Sequence, residues 1–343
     1  MYGISMMKKV IRISLFFLVC YCVVGIAQTP PTLDYPVYVA QLPNLQNYAL
    51  FANGGWDGNW YVGSNSCWVK LLPPIPQGNY ARAYIGAKLG RAKTQQIGKR
   101  PWDKKPLPGE LWIAVNSTPT WPTANRFLLT PTEVIPWESD VENALEGAGE
   151  SQWFWVEVPL SKIDFHHQNY IALWSPTTEF VTVSSAPVLA AGWGGKEPNT
   201  WLAHDTYGNP PDNATAALQT PLSYFQPAIA LKLISQGLSH PVTVRIIQWN
   251  DGTTELPNPT LTVDPIGDEI DHAWLEYFQS DQKQWKRVGR RVWRPPYMLT
   301  IDREALPQGK VQLRAAAVNL WEEVGYSPPF TVDVSINHAP TKI

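Results

Sequence analysis

Cysteine is scarce in this 343-residue chain: there are three, and Cys20 and Cys22 fall inside an N-terminal apolar run. Only Cys67 lies beyond that run, so the sequence predicts no intramolecular disulfide and no cysteine metal site. Charge is also sparse, at 16% of residues, with 27 Lys plus Arg against 29 Asp plus Glu. This near-balance gives no electrostatic reason to expect nucleic acid or an anionic membrane surface as partner. No HExxH, EF-hand loop, P-loop or G-x-S-x-G elbow occurs, and no His or Cys cluster has ligand spacing. No cofactor is therefore expected. His204 with Asp205, and Asp212 with Asn213, supply enough oxygen for a weak calcium site, or for turns whose side chains cap their own backbone. The apolar run 13–26 is shorter than the roughly 20 residues of a membrane span. With Lys8, Lys9 and Arg12 before it and Gly25-Ile26-Ala27 after it, residues 1–27 read as a signal peptide cleaved before Gln28. An uncleaved anchor is the alternative. The expected location is secreted, periplasmic or cell-surface, with no membrane span in the mature chain.

What the chain has in abundance is Trp (17), Tyr (14) and Pro (32). Many aromatics, much proline and little charge predict a β-rich protein with shaped loops, not a disordered one. The strongest stretch is Ser151 to Ser175, read as strand, turn, strand. Alternation places Phe154, Val156 and Val158 on one side of its first strand and Trp153, Trp155 and Glu157 on the other. Residues 79–93 alternate as well, with Ala81, Ala83, Ile85, Ala87 and Leu89 opposite Tyr80, Arg82, Tyr84, Gly86 and Lys88. In 110–116, Leu111, Ile113 and Val115 oppose Trp112, Ala114 and Asn116. Residues 180–189 and 227–233 are further expected strands. Residues 93–109, 118–150 and 192–213 read as loops, with a short helix at 138–145. Residues 28–46 form an extended lead-in. The Gly- and Trp-rich stretch 47–68, containing Trp56 and Asp57, is a loop able to stack on a sugar ring or to plug into its own domain.

Each strand of this region has one aliphatic face, and on several the opposite face is aromatic and polar. The expected fold is a two-sheet sandwich over 47–235. The stretches 78–90, 110–116 and 153–175 resemble the galactose-binding-like jelly rolls of carbohydrate-binding modules, in strand pattern and not in a sugar-binding motif. The closing strand PAIALKL lacks the acidic residue found beside the calcium site of such modules, which puts a structural calcium in doubt. From residue 236 onward, seven short strands at regular spacing (242–250, 261–265, 272–279, 284–290, 297–302, 311–319 and 330–336) predict an immunoglobulin-like β-sandwich over 236–343. The stretches 270–278, 294–301, 306–320 and 325–332 are similar to the Ig-like domains appended to secreted bacterial glycosidases and adhesins. That resemblance implies Trp274 in the place of the third-strand tryptophan, and Leu313, Ala315 and Ala317 facing the core.

The fold class expected is all-β, a jelly-roll β-sandwich followed by an immunoglobulin-like one. The function expected is non-catalytic binding of a polysaccharide, cell-surface glycan or other extracellular ligand. The candidate ligand-binding residues are Arg82, Tyr84, Trp112, Trp153, Trp155, Glu157, Trp56 and Asp57, because aromatic faces suit the CH faces of sugars and the polar groups suit hydroxyls. A structural surface protein with its tryptophans in the core is the alternative. A glycan-active hydrolase is a second alternative. It would need two facing carboxylates, and only Glu150 and Glu157 lie near the aromatic face, where Glu157 could instead pair with Arg82 or Lys88. His166-His167 reads as a surface turn, and Cys67 as a small buried hydrophobe.

Overall fold

A computed structural model describes residues 33–49, 61–99, 104–137, 151–182, 184–194, 199–211, 220–222, 225–237, 239–250, 259–301 and 305–334. The signal segment, the 138–145 helix, Trp56, Asp57, Glu150, Asp212 and Asn213 lie outside these residues.

Up to Ser235 the described strands are β1 (Val37–Val39), β2 (Ser66–Leu71), β3 (Tyr80–Gly90), β4 (Thr94–Gln96), β5 (Lys104–Pro106), β6 (Glu110–Asn116), β7 (Arg126–Pro131) and β8 (Ser151–Val158). They continue with β9 (Tyr170–Trp174), β10 (Val188–Leu189), β11 (Ala191–Trp193), β12 (Thr200–His204), β13 (Thr220–Leu222), β14 (Phe225–Pro227) and β15 (Ile229–Ser235). One sheet runs β1-β15-β3-β10, with β8 on the free side of β3; the other runs β13-β12-β2-β9-β6-β7. Ala83, Ile85, Ala87, Leu89, Phe154, Leu231 and Leu233 from the first sheet meet Trp68, Leu111, Ile113, Val115, Ile171 and Leu173 from the second in one core. The protein is all-β with antiparallel sheets, as the alternation predicts.

Three differences from the sequence reading have local causes. A register shift at Ile234/Ser235 reverses the start of β3, so Tyr80 enters the core while Ala81 is exposed; a bulge changes which side of the sheet the following residues face. In 180–189 only Val188–Leu189 is strand, because Phe180 and Ser185 bond back to Thr177 and Thr182 in turns. Conversely, β4 and β5 form a hairpin within the expected loop 93–109, and β7 and β12 lie within two other expected loops. Proline at 122 and 131 brackets β7, which sits at the edge of its sheet where a missing N–H is tolerated.

From Thr243 the strands are β16 (Thr243–Asn250), β17 (Thr260–Ile266), β18 (Ile270–Gln279), β19 (Gln284–Val292), β20 (Tyr297–Thr300), β21 (Gly309–Asn319), β22 (Val324–Tyr326) and β23 (Phe330–Val334). The order is β16-β17-β20 in one sheet and β19-β18-β21-β22 in the other, with β23 also on β21. All seven expected strands are present and β22 is additional. Leu313, Ala315 and Ala317 face the core, but Trp274 does not: Ala273, Leu275 and Tyr277 occupy the inward positions of β18. Trp274 points outward and donates its Nε1–H to Glu276 at 2.9 Å.

Candidate functional site

The outward side of the β3/β8 sheet carries most of the aromatic residues singled out in the sequence. The register sets Glu157 opposite Tyr84, Trp155 opposite Gly86 and Trp153 opposite Lys88. Gly86 is required here, since a Cβ at that position would lie 2.3 Å from the Trp155 indole. Trp153 and Trp155 stack at 5.0 Å with 10° between their planes. The edge of Tyr48 abuts Trp153 at 5.7 Å, and Tyr38 tilts onto Trp155 at 5.9 Å. Lys88 donates to the Tyr48 carbonyl at 2.8 Å and Arg82 to Tyr84 and Trp321, so neither takes the exposed Glu157 as partner. Much of this face is thus covered by the chain's own lead-in.

Another part, around Tyr84, is covered by the second sandwich. After β21 the chain turns tightly at 320–323, where Asn319 Oδ1 accepts from the amides of Trp321 and Glu323, each at 3.0 Å. Glu322 takes a φ of 58°, a left-handed conformation uncommon outside glycine. The turn drives Trp321 onto Tyr84 and Ile234, leaving the indole 3% exposed. The Arg82 guanidinium donates to the Trp321 carbonyl at 2.7 Å and to the Tyr84 hydroxyl at 3.2 Å. Trp321 Nε1 donates to the Asp34 carbonyl at 3.1 Å, and the indole stacks on His240 at 3.7 Å. Lys232, 1% exposed, donates to the Leu320 carbonyl at 3.2 Å and pairs with the Glu322 carboxylate. Its ammonium also lies 4.8 Å from the Trp155 ring and 5.6 Å from Tyr84. Burial raises the Tyr84 hydroxyl well above its ordinary pKa. Arg82 and Tyr84 are therefore joint residues between the sandwiches, while Trp155 is half-buried at the joint's margin. The sequence carried no signal for this, because the partners stand about 240 residues apart.

Trp112 does not share that face. It lies on β6 in the opposite sheet, whose outward side has its own aromatic layer. The row Trp201–Val69–Ala172–Ala114 runs across four strands. Small residues Cys67, Val69, Ala114, Ala172 and Ala203 form the floor, and Trp112, Trp121, Tyr170, Trp174 and Trp201 pack over it. Trp112, Tyr170 and Trp201 remain half-exposed. Trp112 Nε1 donates to Glu110 at 3.0 Å, which fixes the indole against the strand. Arg126 donates to the Trp121 carbonyl at 2.7 Å and so anchors the loop that brings Trp121 over the floor. The Cys67 thiol is pushed up by complete burial and is inert packing. Tyr170 is not among the residues the sequence singles out, and Trp201 falls in an expected loop. An aromatic or hydroxyl residue alternating with small ones on neighbouring strands is the signal that marks both.

Two buried polar groups complete the picture. Lys70 points into the sandwich and donates to Asn199 at 2.5 Å, to Thr200 at 3.1 Å and to Gln226. Desolvation pulls its ammonium down to about 7. Near the joint, His272 Nδ1 lies 2.7 Å from the Asp271 carboxylate, with the ring against Trp274 and Trp293. Burial lowers the His272 pKa, and the Asp271 hydrogen bond opposes that shift. His166 and His167 lie in a turn closed by Asp164, which accepts both amides at 2.9 Å. No group of three His, Cys, Asp or Glu able to hold a metal is present among the described residues. No helix among them is long and apolar enough to cross a membrane.

These features define an all-β protein of two β-sandwiches, the first with an aromatic layer outside each of its sheets. No protein-family model matches the chain, and no curated protein does. Among solved structures it is similar to the glycoside hydrolase domain of Endo-D from Streptococcus pneumoniae R6, at 11% identity and a TM-score of 0.25, over 80% of this chain and 32% of that one. A β-1,2-glucanase from Parabacteroides distasonis aligns at 11% identity and a TM-score of 0.23, over 81% and 29%. The fibronectin(III)-like modules of CbhA from Clostridium thermocellum align at 8% identity and a TM-score of 0.22, over 77% and 91%. The chain thus spans about a third of the length of the first two. Scores this low carry no argument about function.

Proposed function

We propose that the chain is a secreted, non-catalytic binding protein that holds a glycan against the outer face of the β2/β6/β9/β12 sheet. The observation behind this reading is the half-exposed set Trp112, Tyr170 and Trp201 standing over a flat floor of Ala, Val and Cys. Flat aromatic surface suits the CH faces of a sugar ring, and Glu110 and Asn116 at the ends of β6 offer polar groups for hydroxyls. Trp153, Trp155 and Glu157 form the rim of a second, smaller surface, and the immunoglobulin-like sandwich is its support. The test is a polysaccharide pull-down or glycan array with wild type and a Trp112→Ala/Trp201→Ala double variant. Binding that disappears in the double variant supports the reading. Binding that persists in it, or no glycan binding by wild type, removes this face from the claim.

A structural role is favoured by one observation, the joint itself. Arg82, Lys232, Trp321 and Glu322 couple the sandwiches through buried polar contacts, as a spacer or matrix component would require. An absence of glycan binding together with a single cooperative unfolding transition would favour that role.

A further inference from the structure

A second contact between the sandwiches leaves an open cleft of about 610 Å³. The 3-10 turn Thr132–Val134 and Trp137 wall it on one side, and β19 walls it on the other. Among the described residues, four cationic side chains line it, Lys286, Arg287, Arg290 and Arg291, against the single carboxylate of Glu133. The Arg290 guanidinium lies 3.4 Å from the centre of the Trp137 ring, and the Arg291 guanidinium 5.4 Å from that of Phe154. Two buried N–H donors of the lining residues, Arg291 Nε and Trp137 Nε1, have no acceptor among the described residues. Burial, and then the neighbouring charge of Arg287, disfavour the charged form of Arg291, while the carboxylates of Glu322 and Asp271 favour it.

An unpaired buried donor is costly. Among the described residues Glu133 is the one carboxylate lining the cleft, and it has Arg287 as a neighbour, as does Glu276. The lining therefore offers donors and positive charge in excess of acceptors. We propose that this cleft binds a small ligand carrying an oxyanion, with Arg287, Arg291 and Trp137 Nε1 donating to its oxygens. Guanidinium groups match a planar or tetrahedral oxyanion with paired N–H bonds, and the Trp137 donor supplies a further direction. A carboxylate, a sulfate and a phosphate share this chemistry. The volume accommodates a body of monosaccharide size attached to the anion. The site is separate from the β2/β6/β9/β12 face and does not depend on its function.

The experiment is calorimetric titration of the full chain with inorganic sulfate, inorganic phosphate, D-galacturonate and neutral D-galactose, at constant ionic strength set with chloride. The full chain includes Glu138, Asp140, Glu142, Glu146 and Glu150, which follow Trp137 in the sequence. Saturable binding of at least one anion, with galactose inactive, is expected, and the anion that binds identifies the head group. Trp137→Phe removes one donor and keeps the ring, and should weaken binding about three- to tenfold. Arg291→Met should weaken it more than tenfold. If Arg291→Met does not fold, Trp137→Phe and an Arg287→Gln variant carry the test. Absence of saturable binding by every anion, or affinity unchanged in Trp137→Phe and Arg287→Gln, overturns the proposal.

Discussion

Arg82 donates to the backbone carbonyl of Trp321 across 239 residues of sequence, at 2.7 Å. One residue lies in the third strand of the first sandwich and the other in a turn of the second. The bond ties what alternation alone would class as an exposed arginine to a distant turn. It also converts part of an aromatic sheet face into a joint.

Trp321→Ala should loosen that joint. The indole is 3% exposed and touches Tyr84 and Ile234 as well as His240 and Asp34. Truncating a buried tryptophan costs about 3–5 kcal/mol. Differential scanning calorimetry should show wild type melting as one unit and the variant as two separated transitions. A variant that still melts in one transition at the wild-type temperature would show that the joint does not couple the sandwiches.

The Lys232–Glu322 pair should behave asymmetrically. Removing the carboxylate alone, in Glu322→Ala, leaves a buried ammonium with the Leu320 carbonyl, two aromatic faces and the through-space charge of Asp271. Breaking a buried pair in this way costs about 3–5 kcal/mol, whereas replacing both partners by apolar groups is often close to neutral. Urea unfolding of Glu322→Ala, Lys232→Met and the double variant Lys232→Met/Glu322→Met measures the cycle. A double variant less stable than Glu322→Ala would contradict it.

Acidification should destabilise the fold through His272. Burial holds its folded pKa below the ordinary 6.5, so below pH 6.5 the unfolded chain binds the proton more tightly than the folded one. Stability contributed by the neutral ring is present above 6.5 and is lost as pH falls toward the lowered folded value. Melting temperatures of wild type and His272→Gln between pH 7.5 and about 5 should show a steeper fall for wild type. Parallel curves would exclude His272 as the source.

Lys70 predicts a slope at the other end of the scale. Its folded pKa is pulled down to about 7 from 10.5, so between those values the unfolded chain again holds the proton more tightly. Stability should rise with pH across that window, and Lys70→Met should flatten the rise. The same variant removes the donor shared by the oxygens of Asn199, Thr200 and Gln226, and the Thr200 hydroxyl, 3.2 Å from Asn199 Oδ1 and 3.4 Å from Gln226 Oε1, offers one replacement donor for the two; a group left unsatisfied costs about 1–3 kcal/mol. Chemical denaturation at pH 7 and pH 9.5 tests both effects. An unchanged slope would mean that the three oxygens hold Lys70 charged against desolvation.

The strands themselves were legible wherever the alternation was long. Residues 110–116 form β6 at the limits read from the sequence, and the seven strands of the second sandwich fall where their spacing put them. The misses are short or edge elements. β7 hides between prolines, and β12 sits among Gly, Asn and His residues that resemble loop. The inward and outward sides of β8 are legible in the sequence, because Phe154 and Val158 are apolar while Trp153 and Glu157 interrupt them.

What alternation cannot give is the neighbour of an outward face. Sequence alone determined the all-β class, the long strands and most of their inward and outward sides, since side-chain direction in a strand is local and has period two. Tertiary structure alone decided that Trp112 faces away from Trp153 and Trp155. It also decided that Arg82 and Tyr84 meet Trp321, and that Trp201 and Tyr170 flank a common floor. Those pairings join segments tens to hundreds of residues apart. They depend on which sheets stack and which turns fold over them, and no local pattern in the chain records it.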